Sequence, residues 1–250
     1  MSGPGQAIGD YRGPLARGFM ILQLPLGISL RESASLETFF PGENAQLLAA
    51  IRAAVEHRGE RFVYLWGMRN SGKSHLLQAA CRLASERAMA VAYIPLGAAG
   101  FTPEILQDLG SQDLVCLDDL QVIAGKPHWE QALFHLFNQL RDRNAALLVS
   151  ADRSPARLPM QLADLDSRLS WGVSYQLYPL ADAEKMDALV RYASRRGLEL
   201  PEATASYILR HSARDMGSLV RTLDRLDRAS LAAQRRLTVP FVRTLLDRPE

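Results

Sequence analysis

Eight consecutive residues, Gly67-Met-Arg-Asn-Ser-Gly-Lys-Ser74, have the spacing G-x-x-x-x-G-K-[ST]. Glycines at that spacing let successive backbone N–H groups point inward and cradle phosphate oxygens. A helix starting at the lysine adds its positive N-terminal end. Lys73 would reach the β- and γ-phosphates of a nucleoside triphosphate, and Ser74 would ligate Mg²⁺. Gly67, Asn70, Ser71, Gly72, Lys73, Ser74 and His75 are therefore the candidate nucleotide-binding residues. A tight turn with an incidental lysine would have the same spacing, so the flanking elements decide. "RFVYLWG" reads as a buried strand ending at Trp66, and "KSHLLQAACRLASER" as a helix. That strand–loop–helix order is the one a phosphate loop needs.

Carboxylates at the ends of two other apolar runs belong beside such a loop. "LVCLDD" places Asp118 where a carboxylate can hold Mg²⁺ through water, and Asp119 where many ATPases carry a glutamate that orients the attacking water. An aspartate is shorter, which predicts slow hydrolysis. The alternative is a pair of aspartates capping the next turn. "LVSADR" ends a further strand with Asp152, a candidate γ-phosphate sensor, since ligands collect at the carboxyl ends of strands in open α/β sheets.

The elements that must position these groups alternate. A helix with Leu47, Leu48, Ile51 and Val55 at helical spacing starts near Glu43. Strands are expected at "RFVYLWG", "AVAYIPL", "DLVCLDD", "AALLVSADR" and "VSYQLYPL", with a helix at "HWEQALFHLFNQLRDR". Alternation of this kind predicts an α/β fold with a parallel five-stranded sheet covered on both faces. From Ala181 onward only helical periods follow, a small helical domain over 181–250. Leu133, Phe134, Phe137 and Leu140 read as core, and so does Trp66. Trp129 and Trp171 are placed near interfaces. Asp224 and Arg228, four apart, suggest a solvated helix face.

Composition narrows the function classes. The formal charge of +2 makes no overall call for nucleic acid or membrane. The two cysteines, Cys81 and Cys116, are far apart and sit inside apolar patterns. They build neither a metal site nor a disulfide framework, and a reducing cytoplasm fits. No apolar run approaches the ~20 residues of a membrane span. The opening "MSGPGQAIGDYRGP" reads as disordered. "FMILQLPLGI" imitates a secretory signal only loosely, because Gln23 and Pro25 break it. Met20 is a candidate true start.

The runs "LVCLDDLQVIAGKPHWEQALFHLFNQLRD", "VSADRSPARLPMQLADLDSRLSWG" and "RDMGSLVRTLDRLDRASLAAQRRLTVPFVRTLL" resemble the DnaA family of AAA+ ATPases over about Leu36 to Leu246. The resemblance implies an AAA+ P-loop domain over 36–180 and a lid over 181–250. "FFPGENAQLLAAI" resembles the mouth of the family's nucleotide pocket, which adds Phe40 and Pro41. "SRLSWG" resembles the stretch bearing an arginine finger, which gives Arg168 a role in trans. The chain has no room for the family's helix-turn-helix domain, and so it resembles the Hda branch, the regulatory inactivators of DnaA.

For that branch the resemblance implies bound ADP (or ATP) with Mg²⁺. It implies DnaA and the DNA polymerase sliding clamp as partners, DNA contacted only through the clamp, and a possible homo-oligomer. It also implies a clamp-docking peptide within 22–28 of a flexible leader, 1–35. Gln23, Leu24, Pro25 and Leu26 fit that peptide's pattern. Each buried leucine would contribute roughly 1.5–3 kcal/mol before ordering costs. The alternative is that the leader folds back as an edge strand.

One departure is Gly217, in "RDMGSL", where the family's lid carries a nucleotide-contacting arginine. Arg214 and Arg221 are nearby but out of phase. The implied function is a regulator that promotes hydrolysis of DnaA-bound ATP, with at most weak ATPase activity of its own. Two other readings are open: a helicase-loader-like ATPase acting on single-stranded DNA, and an adaptor without catalysis.

Overall fold

The computed structural model describes residues 34–246. The leader, with Gln23, Leu24, Pro25 and Leu26, lies outside the described residues. Five parallel strands, β1 (Phe62–Trp66), β2 (Val91–Pro95), β3 (Leu114–Asp118), β4 (Ala146–Ala151) and β5 (Val173–Gln176), form one sheet in the order β2-β3-β4-β1-β5. Helices α1 (Ala45–Val55), α2 (Lys73–Ser85), α3 (Pro127–Asp142) and α4 (Ala163–Leu169) connect and cover it. Four more helices follow: α5 (Asp182–Arg195), α6 (Glu202–His211), α7 (Met216–Ala233) and α8 (Val239–Leu246). This is the AAA+ arrangement of a parallel α/β sheet followed by helices. Among the described residues no helix is long and apolar enough to cross a membrane.

The central strands are apolar up to Asp118 and Ser150 because both faces are covered. β3 and β4 are buried at every residue. Alternate residues feed two cores. Tyr64, Val115, Leu117 and Val149 pack with Leu133, Leu136 and Leu140 of α3 on one face. Val63, Leu65, Cys116 and Leu148 pack with Ile51, Leu76 and Ala80 of α1 and α2 on the other. Both cysteines are buried. β5, an edge strand, alternates half-buried and exposed residues. Leu189, Ile208, Leu219, Leu223 and Phe241 make a third core within α5–α8.

Three side chains depart from expectation, the first being Trp66, which is only partly buried against the α3 core. Phe134 is only partly buried, packing against the edge of the α3 core and offering its ring outward. Asp224 does not pair with Arg228. Its carboxylate meets Arg196 at 2.5 Å and accepts from Tyr192 Oη at 3.0 Å, while Arg228 Nε donates to the Asp224 carbonyl. Tertiary partners on α5 and just past its end hold the charge more closely than a flexible neighbour one turn away.

Register sets the site. Trp66 is paired with Ala151, and Leu117 with Val149. The carboxyl ends of β1, β3 and β4 therefore stop together, and Asp118 stands beside Ser150.

Candidate functional site

The loop from Gly67 to Gly72 joins the end of β1 to the start of α2. Gly72, just before the helix, has φ +106°, which a side chain would strain, and a Cβ there would also press on the Phe39 ring at 3.0 Å. Asn70 also takes positive φ, +60°, the left-handed conformation asparagine tolerates better than most residues. Lys73 is buried, and its Nζ donates to the carbonyls of Gly67 at 3.0 Å and Met68 at 2.8 Å. Burial lowers its pKa, while the charges of Asp119, Asp118 and Asp152 pull the other way. Ser71 Oγ is buried with no hydrogen-bond partner. An orphan hydroxyl and an ammonium shared between two carbonyls beneath a glycine loop fit a phosphate group, whose oxygens would satisfy both.

The three aspartates converge, each in a different state. Asp118 is almost fully buried. One of its oxygens accepts from Ser150 Oγ, and the other from Tyr93 Oη at 2.7 Å. Gln78 Nε2 in turn donates to Tyr93 Oη at 3.2 Å. Burial, with Asp118 as neighbour, drives the Tyr93 hydroxyl's pKa far up, so it remains a donor. With both oxygens engaged, Asp118 suits contact with a hydrated Mg²⁺ through water better than a direct bond.

Asp119 takes a left-handed backbone, φ +64°, and its N–H donates to Ser150 Oγ at 3.0 Å. Its carboxylate accepts from Gln121 Nε2 at 2.9 Å. Gln121 Oε1 accepts the Asp152 N–H at 3.1 Å, so one amide links both acids. The Asp152 carboxylate is gripped by Arg153 at 2.7 and 2.8 Å, and that contact lowers its pKa.

A cleft of about 800 Å³ opens over the loop. Asn70, Ser71, Gly72, Lys73, Ser74 and His75 line its floor, with Asp119 and Asp152 to one side. Gly67 and Asp118 lie beneath the lining. Phe39 and Phe40 form a wall, and Pro41 stands outside it. Buried Asn44 exchanges two hydrogen bonds with the Tyr178 backbone, 3.0 and 2.8 Å, and so holds the connection from β5 to α5 at the cleft's rim.

Across the cleft, Arg214, Gly217 and Arg221 face the loop. Arg221 Nη1 lies 3.6 Å from where a Cβ on residue 217 would stand, and Nη2 donates to Ser218 Oγ at 2.8 Å. The space left open by Gly217 is thus partly used by an arginine from the next turn.

Arg168 is elsewhere. It sits at the end of α4, ahead of β5, toward the amino ends of the strands, and does not line the cleft. Its guanidinium carbon lies 4.0 Å above the Phe134 ring centre and 5.8 Å from that of Trp171. Its Nε is buried without a hydrogen-bond partner. Trp171 is 62% exposed, a large apolar surface for a tryptophan beside a cation.

Several residues that shape the site carry little sequence signal. Ser150 had the best chance, as the polar residue ending an apolar strand. Tyr93, Gln121 and Glu130 look like an ordinary strand aromatic, a turn amide and a helical acid. Glu130 is nevertheless fully buried.

A family model for the bacterial DnaA ATPase domain matches residues 30–176, and one for the Hda lid domain matches residues 182–246. Domain III of the replication initiation protein DnaA from Thermotoga maritima superposes with a TM-score of 0.72 at 22% identity, covering 88% of this chain and 98% of that one. AMPPCP-bound DnaA from Aquifex aeolicus gives 0.67 at 24%, covering 80% and 67%. A DNA replication initiation factor gives 0.66 at 24%, covering 78% of this chain, and the chain spans only 64% of that protein's length. At these identities the structural likeness speaks for the fold, whereas the two family models together account for nearly all the described residues. The chain belongs to the bacterial DnaA ATPase family, as an AAA+ homologue of DnaA that carries an Hda-type lid.

Proposed function

We propose that the protein is a nucleotide-holding regulator of replication initiation. In this reading it docks on the DNA polymerase sliding clamp through Gln23–Leu26 and presents Arg168 to ATP bound on DnaA. The observation that carries the reading is the setting of Arg168. Among the described residues no carboxylate pairs with it, it rests on aromatic faces, and it lies away from its own chain's cleft. An arginine kept for a phosphate on another molecule needs those properties. Placed against a transferring phosphoryl group, such a residue supplies on the order of 10³–10⁵ in rate.

The chain's own cleft has a holding role in this reading. The 67–74 loop and Lys73 would bind the phosphates of ADP or ATP, and Phe39 and Phe40 would wall the base and sugar. Ser74, with Asp118 acting through water, would hold Mg²⁺, which neutralises phosphate charge when bound. Asp119 is short and already engaged by Gln121, and Asp152 is engaged by Arg153. A short acid tethered at one oxygen and a second acid held at both place an attacking water poorly, so hydrolysis in this cleft is slow in this reading. Arg221 and Arg214 would meet the nucleotide from the lid side.

The deciding experiment measures hydrolysis of DnaA-bound ATP on clamp-loaded DNA with wild type and Arg168→Ala. The variant should lose stimulation while keeping clamp binding and its own nucleotide. Stimulation that survives the substitution removes Arg168 from the role.

A further inference from the structure

Glu130, in the first turn of α3, is completely buried, yet it touches neither the cleft nor Arg168. Its carboxylate is saturated by backbone. Oε1 accepts from Gly125 N–H at 2.7 Å, and Oε2 accepts from Gln161 N–H at 2.9 Å and Leu162 N–H at 2.8 Å. Gln161 Nε2 closes the ring by donating to the Gly125 carbonyl at 3.1 Å. A buried carboxylate is costly unless its oxygens are satisfied, and this one is satisfied only while two separate loops stay together.

Those loops matter by where they begin and end. One leaves β3 at Asp119, passes Gln121 and arrives at Gly125. The other leaves β4 at Asp152 and arrives at Gln161 and Leu162, immediately ahead of α4. At the cleft they are tied by Gln121 to Asp152 N–H, and at the far end by Glu130. Leu162, the residue that opens α4, has no capping side chain of its own, so the carboxylate from α3 fixes the backbone there. Arg168 is six residues further on.

We propose that Glu130 is a positioning residue for Arg168: it pins the start of α4 to the loop that leaves the cleft and thereby sets where the guanidinium stands. The proposal rests on the trans role given to Arg168 above. Glutamine at this position has nearly the same shape but offers one acceptor and two donors where three N–H groups converge, so the clasp opens.

The test compares full-length wild type, Glu130→Gln, Arg168→Ala and the double variant. Three quantities are read: own-nucleotide affinity, amide exchange over residues 161–169, and the stimulated hydrolysis rate against regulator concentration. Glu130→Gln should keep nucleotide affinity and speed exchange at 161–169. It should lower the maximal stimulated rate roughly tenfold to a hundredfold with little change in the half-saturating concentration, because misplacing a charged group weakens the transition state more than docking. In the Arg168→Ala background it should cost nothing further. Unchanged exchange, an unchanged maximal rate, or an additive loss in the double variant each overturns the proposal. Wild type without stimulation sinks the parent reading and this proposal with it, whereas stimulation that survives Glu130→Gln sinks this proposal alone. If Glu130→Gln does not fold, Gln161→Ala, which removes only the bond to the Gly125 carbonyl, should give the same two changes in milder form. Faster exchange with full stimulation in that variant overturns the proposal.

Discussion

Lys73 and Arg168 are cations suited to phosphate, and the molecule treats them in opposite ways. Lys73 is buried at the carboxyl end of the sheet, tied to two carbonyls and surrounded at longer range by three aspartates. Arg168 stands toward the opposite end, on a phenylalanine face, with no anion among the described residues to hold it. A cation meant for its own cleft can be fixed in advance by its own chain. One meant for a neighbour must arrive charged and uncommitted, because an internal ion pair would compete with the target. Stacking on an aromatic face restrains direction without supplying a competing anion.

Replacing each cation tests that contrast, and the largest effect is expected at Arg168. Arg168→Ala should reduce stimulated hydrolysis by about 10³ or more, and Arg168→Lys should recover little, since a point charge lacks the planar fork. Neither change should alter the chain's own nucleotide affinity, measured by titration. Lys73→Met should do the reverse, weakening nucleotide binding by roughly 10- to 100-fold, the worth of a charge-assisted hydrogen bond. Stimulation should fall only as far as the empty protein loses structure. If Lys73→Met abolishes stimulation while thermal unfolding is unchanged, the two sites are not separable as argued.

A third variant, Leu24→Ala/Leu26→Ala, should weaken clamp binding by roughly tenfold or more in calorimetry, from the apolar area lost. It should leave both cations' assays untouched once the clamp is bypassed at high protein concentration. Clamp affinity equal to wild type would free the leader from that role.

The smallest effect is a pH dependence. Burial sets the Lys73 pKa below its ordinary value. Between the lowered value and the ordinary one, the unfolded chain holds a proton that the folded chain has released. Stability therefore rises with pH across that window, and below it the fold carries the full cost of the buried ammonium. A bound phosphate restores the proton, so nucleotide binding just below the usual lysine range should be accompanied by proton uptake. Calorimetry in buffers of different ionisation enthalpy reads this directly. Lys73→Met should abolish it, and Arg168→Ala should leave it intact.

Much of the architecture was legible because its signals are local. A phosphate loop between an apolar run and a helical period needs no distant partner to be recognised, nor does an aspartate closing a buried strand. What was illegible depends on residues that meet from far apart in the chain. Nothing around Tyr93 announces that its hydroxyl will occupy Asp118, or around Gln121 that its amide will join two acids. Glu130 sits at a helical start where acids are common, and only the two loops folded over it reveal its use. Phe134 was read as core by periodicity, which reports which face of a helix is apolar but not how far the covering extends. Asp224 shows the same limit: sequence spacing offered Arg228, and the neighbouring helix supplied Arg196.

The closeness of Gly172 to β1 has a further consequence. A Cβ at that position would collide with the ring and carbonyl of Phe62, so the backbone just past Arg168 lies against the first residue of the strand whose last residue abuts the phosphate loop. Five residues of extended chain span roughly 17 Å. In the proposed reading that strand works as a ruler, with the donor arginine near one end and the phosphate loop at the other. Faces of this kind are unlike each other, so contacts made with them run head to tail and do not close into a simple pair. If Arg168 acts in trans and the cleft hydrolyses slowly, both as proposed above, the chain would act as a terminator when added to a file of AAA+ subunits. It would discharge the subunit it meets and present a cleft that passes nothing on.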